Sequence, residues 1–157
     1  MHYEHIVQIN DPRDPQIQPV DAAALWRAVL LSATEPQRFR PELDGAEVVA
    51  LEPMRWQRRL HFGTLTVIED LRADAQAQSL VQSILAPPEL AGGSRTVRIE
   101  APAPGHLVLR FLYASPHASA GTDADQRNAF RSAYRQADLA QVEIMRAWLA
   151  TQPDSKP

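Results

Sequence analysis

The chain contains no cysteine. Disulfides, thiolate metal centres and a thiol nucleophile are therefore excluded. Positive charge is not in excess either, since 16 basic residues stand against 19 acidic ones for a net charge of -3. Such a composition has little with which to neutralise phosphates, so nucleic acid is not expected as a partner, and an anionic bilayer surface is disfavoured for the same reason. Long apolar runs are missing too. No segment approaches the roughly 18 apolar residues of a membrane span, and stable membrane insertion is not expected. The opening MHYEHIVQIND places polar groups where a signal peptide would need an apolar stretch, which points to a cytoplasmic protein. HExxH, GxSxG, P-loop and GxGxxG strings are all absent, and AGGS at 91–94 suits a turn better than a phosphate cradle. No metal and no cofactor are expected.

What is present fits one globular domain. The 157 residues are 45% hydrophobic and 22% charged, near the average for folded proteins. A chain of that length can bury about 70% of the surface its unfolded form exposes. The domain is expected over residues 1–152, with the polar PDSKP at 153–157 as a frayed tail.

The elements follow from periodicity and punctuation. In YEHIVQI, residues Tyr3, His5, Val7 and Ile9 share one face at period two, which predicts a strand. Asp21 is placed to cap a helix over AALWRAVLLSA, and Thr34 with Pro36 marks the start of a short helix through PQRF. AEVVALE at 46–52 reads as a strand. In MRWQRRLHF the even positions Met54, Trp56, Leu60 and Phe62 are apolar; in LTVIEDL the odd positions Leu65, Val67 and Leu71 are. Gly63 and Thr64 between them suit a two-residue type II′ hairpin, whose first central residue needs a positive φ. That turn pairs Phe62 with Leu65, Leu60 with Val67 and Arg58 with Glu69, leaving one charged pair on the inward face. AQAQSLVQSILA reads as a further strand. SRTVRIEA and HLVLRFLY follow around the turn PAPG, with Val97, Ile99, Leu107, Leu109, Phe111 and Tyr113 inward. Thr122 then caps a last helix, with Asp123 and Asp125 in its first turn, running to about Thr151 over roughly 40 Å. Strand, two helices, a run of strands and one long helix predict an α+β fold in which a curved antiparallel sheet wraps the C-terminal helix.

The last helix raises a question, because Tyr134, Asp138 and Gln141 fall within the apolar arc set by Phe130, Ala137, Ile144, Met145 and Trp148. An unpaired buried carboxylate is costly. Three arrangements remove the cost: a ligand-filled or solvated cavity, an interior cation for Asp138, or a rotated helix with Asp138 at its wet margin. Arg58 and Glu69 form either a ligand-orienting pair or a structural cross-strand ion pair. His5 is either a general base or a hydrogen-bonded core residue. His2, His61, His106 and His117 read as surface or loop positions. Trp56 and Phe111 are among the aromatics that would wall a pocket or fill a core.

The order of elements resembles the helix-grip architecture of the START-like (SRPBCC) superfamily, which includes lipid-transfer domains and polyketide cyclases. MHYEHIVQINDP, LWRAVLLSATEPQRFRPELDG, RRLHFGTLTV, AGGSRTVRIEAP and SAYRQADL are similar to the branch named for a fungal acetylaranotin-biosynthesis protein. The resemblance implies a deep hydrophobic cavity between sheet and last helix and brings no catalytic set with it. The expected function is binding of a small hydrophobic or amphipathic molecule by Arg58, Glu69, Tyr134, Asp138, Gln141, His5, Trp56 and Phe111, in a monomer or homodimer. A polyketide cyclase or dehydratase using the same cavity is the alternative, with Asp138 or His5 abstracting a proton and Tyr134 and Arg58 stabilising an enolate. A cavity-less interaction module is the third reading.

Overall fold

A computed structural model describes residues 1–116 and 124–157. The elements are β1 (His2–Asn10), α1 (Ala22–Thr34), α2 (Pro36–Phe39), β2 (Gly45–Glu52), β3 (Arg55–Phe62), β4 (Leu65–Asp74), β5 (Ser79–Ala86), β6 (Ser94–Glu100), β7 (Leu107–Ala114) and α3 (Ala124–Ala150). All seven strands join one antiparallel sheet in the order β1-β7-β6-β5-β4-β3-β2. The chain therefore crosses from one sheet edge to the other through α1 and α2, meanders back from β2 to β7, and closes with α3 against the inner face. This is the helix-grip arrangement. Among the described residues no helix is long and apolar enough to cross a membrane.

Local chemistry accounts for most boundaries. The Asp21 carboxylate accepts hydrogen bonds from the Ala23 and Ala24 N–H groups and so satisfies two otherwise orphaned donors of α1. Pro36 opens α2, but Thr34 is the last residue of α1, and Glu35 precedes the proline without a side-chain cap. Gly63 adopts φ +59° while Thr64 stays out of the left-handed region, as a type II′ turn requires. The register of β3 on β4 is the expected one: Phe62 with Leu65, Leu60 with Val67 and Arg58 with Glu69.

Several further expectations need correction. Met54 is not inward; it sits in the β2–β3 turn at φ +63°. Leu65, at the other end of its hairpin, is exposed. Of AQAQSLVQSILA only Ser79–Ala86 is strand, because the Asp74 carboxylate accepts from the Gln76 and Ala77 N–H groups and holds the preceding residues in a turn. The tail does not fray: Ser155 is buried, its carbonyl accepts from the Asp21 N–H at 2.6 Å, and Asp154 meets Arg27 at 3.1 Å. The assigned roles of Thr122 and Asp123 at the start of the last helix, and the position of His117, lie outside the described residues.

The core lies between the sheet, α1 and the second half of α3. Leu25, Trp26 and Val29 of α1 pack with Val97, Leu109 and Phe111 of the sheet and with Val142, Met145 and Leu149 of α3. Along α3 the buried side chains are Asp138, Gln141, Val142, Met145 and Leu149. Phe130 and Ala137, expected on that face, are exposed instead, so the covered stripe is rotated from the expected arc and confined to the C-terminal half.

Candidate functional site

Strand register builds the site. Because side chains alternate across a strand, one inward row runs across six strands through successive partners: Trp56 with Leu71, Leu71 with Gln82, Gln82 with Arg95, Arg95 with Tyr113, and Tyr113 with Tyr3. The adjacent row pairs Val97 with Phe111 and Phe111 with His5. Asp138 of α3 comes down on these rows.

The result is a closed polar cluster in an aromatic setting. The Arg95 guanidinium donates through Nη2 to Asp138 Oδ1 at 2.7 Å and to Gln141 Oε1 at 2.7 Å, and through Nη1 to Gln82 Oε1 at 3.2 Å. Its Nε–H is shared between Asp138 Oδ1 at 3.2 Å and the Tyr113 hydroxyl at 3.0 Å. Tyr113 in turn donates to the carboxylate, 2.8 Å from Oδ2. His5 Nε2 lies 2.7 Å from the same Oδ2. As Asp138 is an acceptor here, Nε2 carries the proton between them. Arg95 also stands 5.0 Å over the Phe111 ring, His5 stacks between Tyr3 and Phe111, and Tyr134 stacks on Tyr113 with centroids 4.2 Å apart. Asp138 is 2% exposed, so it is neither at a wet margin nor unpaired. Of the three arrangements open to it, the structure has the interior cation.

The electrostatics follow from that packing. Burial works against the Arg95 charge, but the Asp138 carboxylate and the Tyr113 dipole overcome it and hold the guanidinium well above its ordinary range. Burial pushes the Tyr113 phenol up, and Asp138 adds to the rise while Arg95 opposes it. Tyr134 is raised by burial alone. Phenols held protonated in this way are donors.

Arg58 and Glu69 do meet, with Nε donating to Oε2 at 2.7 Å. The guanidinium Nη1 then donates to the carbonyls of Ser32 at 3.0 Å and Ala33 at 3.3 Å, in the last turn of α1. A cation there satisfies carbonyls that have no intrahelical partner and faces the negative end of the helix dipole. Burial lowers the Arg58 pKa, and Glu69 offsets only part of the fall. Of the expected site residues, the structure thus brings together His5, Asp138, Gln141, Tyr134 and Phe111, with Trp56 half-buried along the same row. Arg58 and Glu69 form a separate pair that shares no hydrogen bond with Asp138 among the described residues. Arg95, Gln82 and the hydroxyl of Tyr113 were missed as polar members. Their signal was period two: Arg95 is in phase with Val97 and Ile99, and Gln82 with Leu80.

Among the described residues, one groove of about 320 Å³ and another of about 230 Å³ open to solvent. The larger is lined by Tyr3 and Tyr113 together with His2, Glu4, Thr96 and Leu112, which point away from α3. The smaller is lined by Glu47, Val49, Gln57, Arg58, Arg59 and Ile68 on the outer side of β2–β4. Neither is the enclosed space between sheet and helix that the resemblance implied.

Comparison with known proteins agrees with this geometry. Residues 7–152 match the family model described as acetylaranotin biosynthesis cluster protein L. The chain belongs to this family. Nothing among curated proteins matches it. Among solved structures it is similar to the Zhui aromatase/cyclase from Streptomyces sp. R1128, at 16% identity and TM-score 0.65 over 100% of this chain and 99% of that one. The di-domain ARO/CYC StfQ from the steffimycin biosynthetic pathway matches at 13% identity and TM-score 0.70, over 93% of this chain and 50% of that one. Ara h 8.0201 matches at 14% identity and TM-score 0.61, over 94% and 98%. At such identities it is the fold that this family member shares with them.

Proposed function

We propose that the protein binds a small hydrophobic or amphipathic organic molecule on the inner side of the sheet beneath α3, with the Asp138 cluster as the polar end of the site. The observation that carries this reading is the cluster itself, a buried polar network made of side chains from five elements and set among stacked aromatic rings. A core needs no such network for packing, since apolar residues of equal volume are often as stable. Pockets for organic ligands combine an apolar wall with a few convergent polar groups, and this arrangement has both. The likeness in fold to aromatase/cyclases is consistent with it.

Native mass spectrometry of protein purified from its own host, with extraction and identification of anything bound, tests the reading. A stoichiometric organic adduct supports it. An empty protein whose melting temperature also fails to move across a broad panel of lipids and polyketides contradicts it.

A second reading, proton transfer within the same site, is favoured by one observation: His5 is held by a carboxylate through Nε2, as a general base is held. Here Arg58 has no part in stabilising an enolate, because Glu69 and the α1 carbonyls occupy it. Deuterium uptake from solvent into the extracted molecule, dependent on His5, would establish this reading; exchange at the uncatalysed rate would dismiss it.

A further inference from the structure

Each nitrogen of the Arg95 guanidinium has a partner among Asp138, Tyr113, Gln82 and Gln141, and its charge is matched by the Asp138 carboxylate. One buried polar atom is left over. His5 Nδ1 is sealed from solvent and has no hydrogen-bond partner among the described residues. With Nε2–H directed at Asp138, whose charge Arg95 already matches, Nδ1 is left as the acceptor of the ring. A buried acceptor without a donor loses its hydration and gets nothing in return, so native structures rarely leave one. Its cover on one side is Tyr3, a half-buried side chain stacked 5.5 Å from the imidazole.

We infer that His5 Nδ1 is the anchor point for the ligand, and that the ligand's buried end is a neutral hydroxyl donor such as a phenol, an enol or an alcohol. The inference rests on the proposal that this site binds an organic molecule, and it narrows the class. A carboxylate or phosphate at Nδ1 would bring a second anion beside the buried Asp138, which Arg95 already matches, while Arg131 is an exposed residue 5.9 Å over the Tyr3 ring and not within the buried cluster. A ketone or an ether would meet a lone pair with another. A hydroxyl gives Nδ1 the donor it lacks while its apolar body lies against Tyr3, Tyr134 and Phe111.

Matched triads test this, each triad being a phenol, its methyl ether and the corresponding carboxylate on one aromatic body, for example the naphthalene and anthracene series. Affinities are measured by calorimetry on wild type and on His5→Phe, which keeps a ring between Tyr3 and Phe111 but has no acceptor, while Asp138 retains Arg95 and Tyr113 as donors. The phenol is expected to bind about ten-fold or more tightly than either analogue, the factor for one buried acceptor satisfied or left bare. In His5→Phe the preference of phenol over ether should fall to near unity while the ether still binds. In wild type, the unprotonated Nδ1 resonance of His5 in long-range proton–nitrogen NMR spectra should move toward the protonated range when the phenol is added and stay in place with the ether. Equal binding of phenol and ether, or tightest binding of the carboxylate, overturns the inference and leaves the binding site standing. If no member of any triad binds, the site itself fails and the inference goes with it.

Discussion

Two buried ion pairs lie on the same face of one sheet, and they end their hydrogen bonds in different places. Arg58 passes from Glu69 to the main-chain carbonyls of Ser32 and Ala33, so it fastens the C-terminus of α1 to β3 and β4. Arg95 passes from Asp138 to side chains alone, and that network stops at an imidazole nitrogen with nothing to accept. Burial of charge is common to both. A buried guanidinium that terminates on backbone has a structural account, whereas one that terminates on a ring of side chains with an open valence is organised toward something else.

The largest test of this contrast removes the anions. Glu69→Ala and Asp138→Ala should each destabilise the fold by about 3–5 kcal/mol in denaturant unfolding, since each leaves a buried guanidinium without its countercharge. Only Asp138→Ala should also weaken ligand binding per folded molecule. A sharper version replaces both partners at once. Arg58→Leu with Glu69→Leu should still cost about 1–3 kcal/mol, because the Ser32 and Ala33 carbonyls lose their donor. Recovery to wild-type stability would show that the carbonyl contacts contribute nothing.

Tyr113 separates the two regions by pH. Its phenol is held above the ordinary value of 10.0, and Tyr134 shifts the same way, so between that value and the folded pKa the native protein binds protons that the unfolded chain has released. Stability should be intact below about pH 10 and fall as the pH rises further, by up to about 1.4 kcal/mol per unit for the Tyr113 proton and by less for the half-exposed Tyr134, which solvent screens. Tyr113→Phe should flatten that decline, read from urea midpoints across the alkaline range, and should itself cost about 1.5–3 kcal/mol at neutral pH through the lost bond to a charged acceptor. A control outside both regions is Asp21→Ala, expected to cost only about 1 kcal/mol as a helix cap and to leave binding untouched.

How much of this was legible in the sequence differs between the two regions. The Arg58–Glu69 pairing followed residue by residue from the two-residue turn at Gly63, because a tight hairpin fixes register locally. Its termination on α1 did not, since that contact joins positions 25 and 26 residues apart through tertiary packing. Asp138 announced that a partner was needed. Which cation answered was open, although Arg95 is in phase with Val97 and Ile99 on a strand whose inward face had been recognised. A charge at the start of a strand reads as solvated unless the row of cross-strand partners is known, and that row depends on the register of six strands. The exposure of Phe130 and Ala137 was hidden for a similar reason: the wheel gives a face, but the length of sheet beneath α3 decides how much of it is covered.

The most direct measurement of the central claim follows the two buried Nε–H groups in a proton–nitrogen NMR titration with the molecule that co-purifies or, without one, with the tightest phenol. The account predicts that the Arg95 Nε–H and the Gln82 and Gln141 side-chain amides shift with ligand while the Arg58 Nε–H does not. Movement of Arg58 with Arg95 unaffected would contradict it and place the site at the pair assigned here to structure.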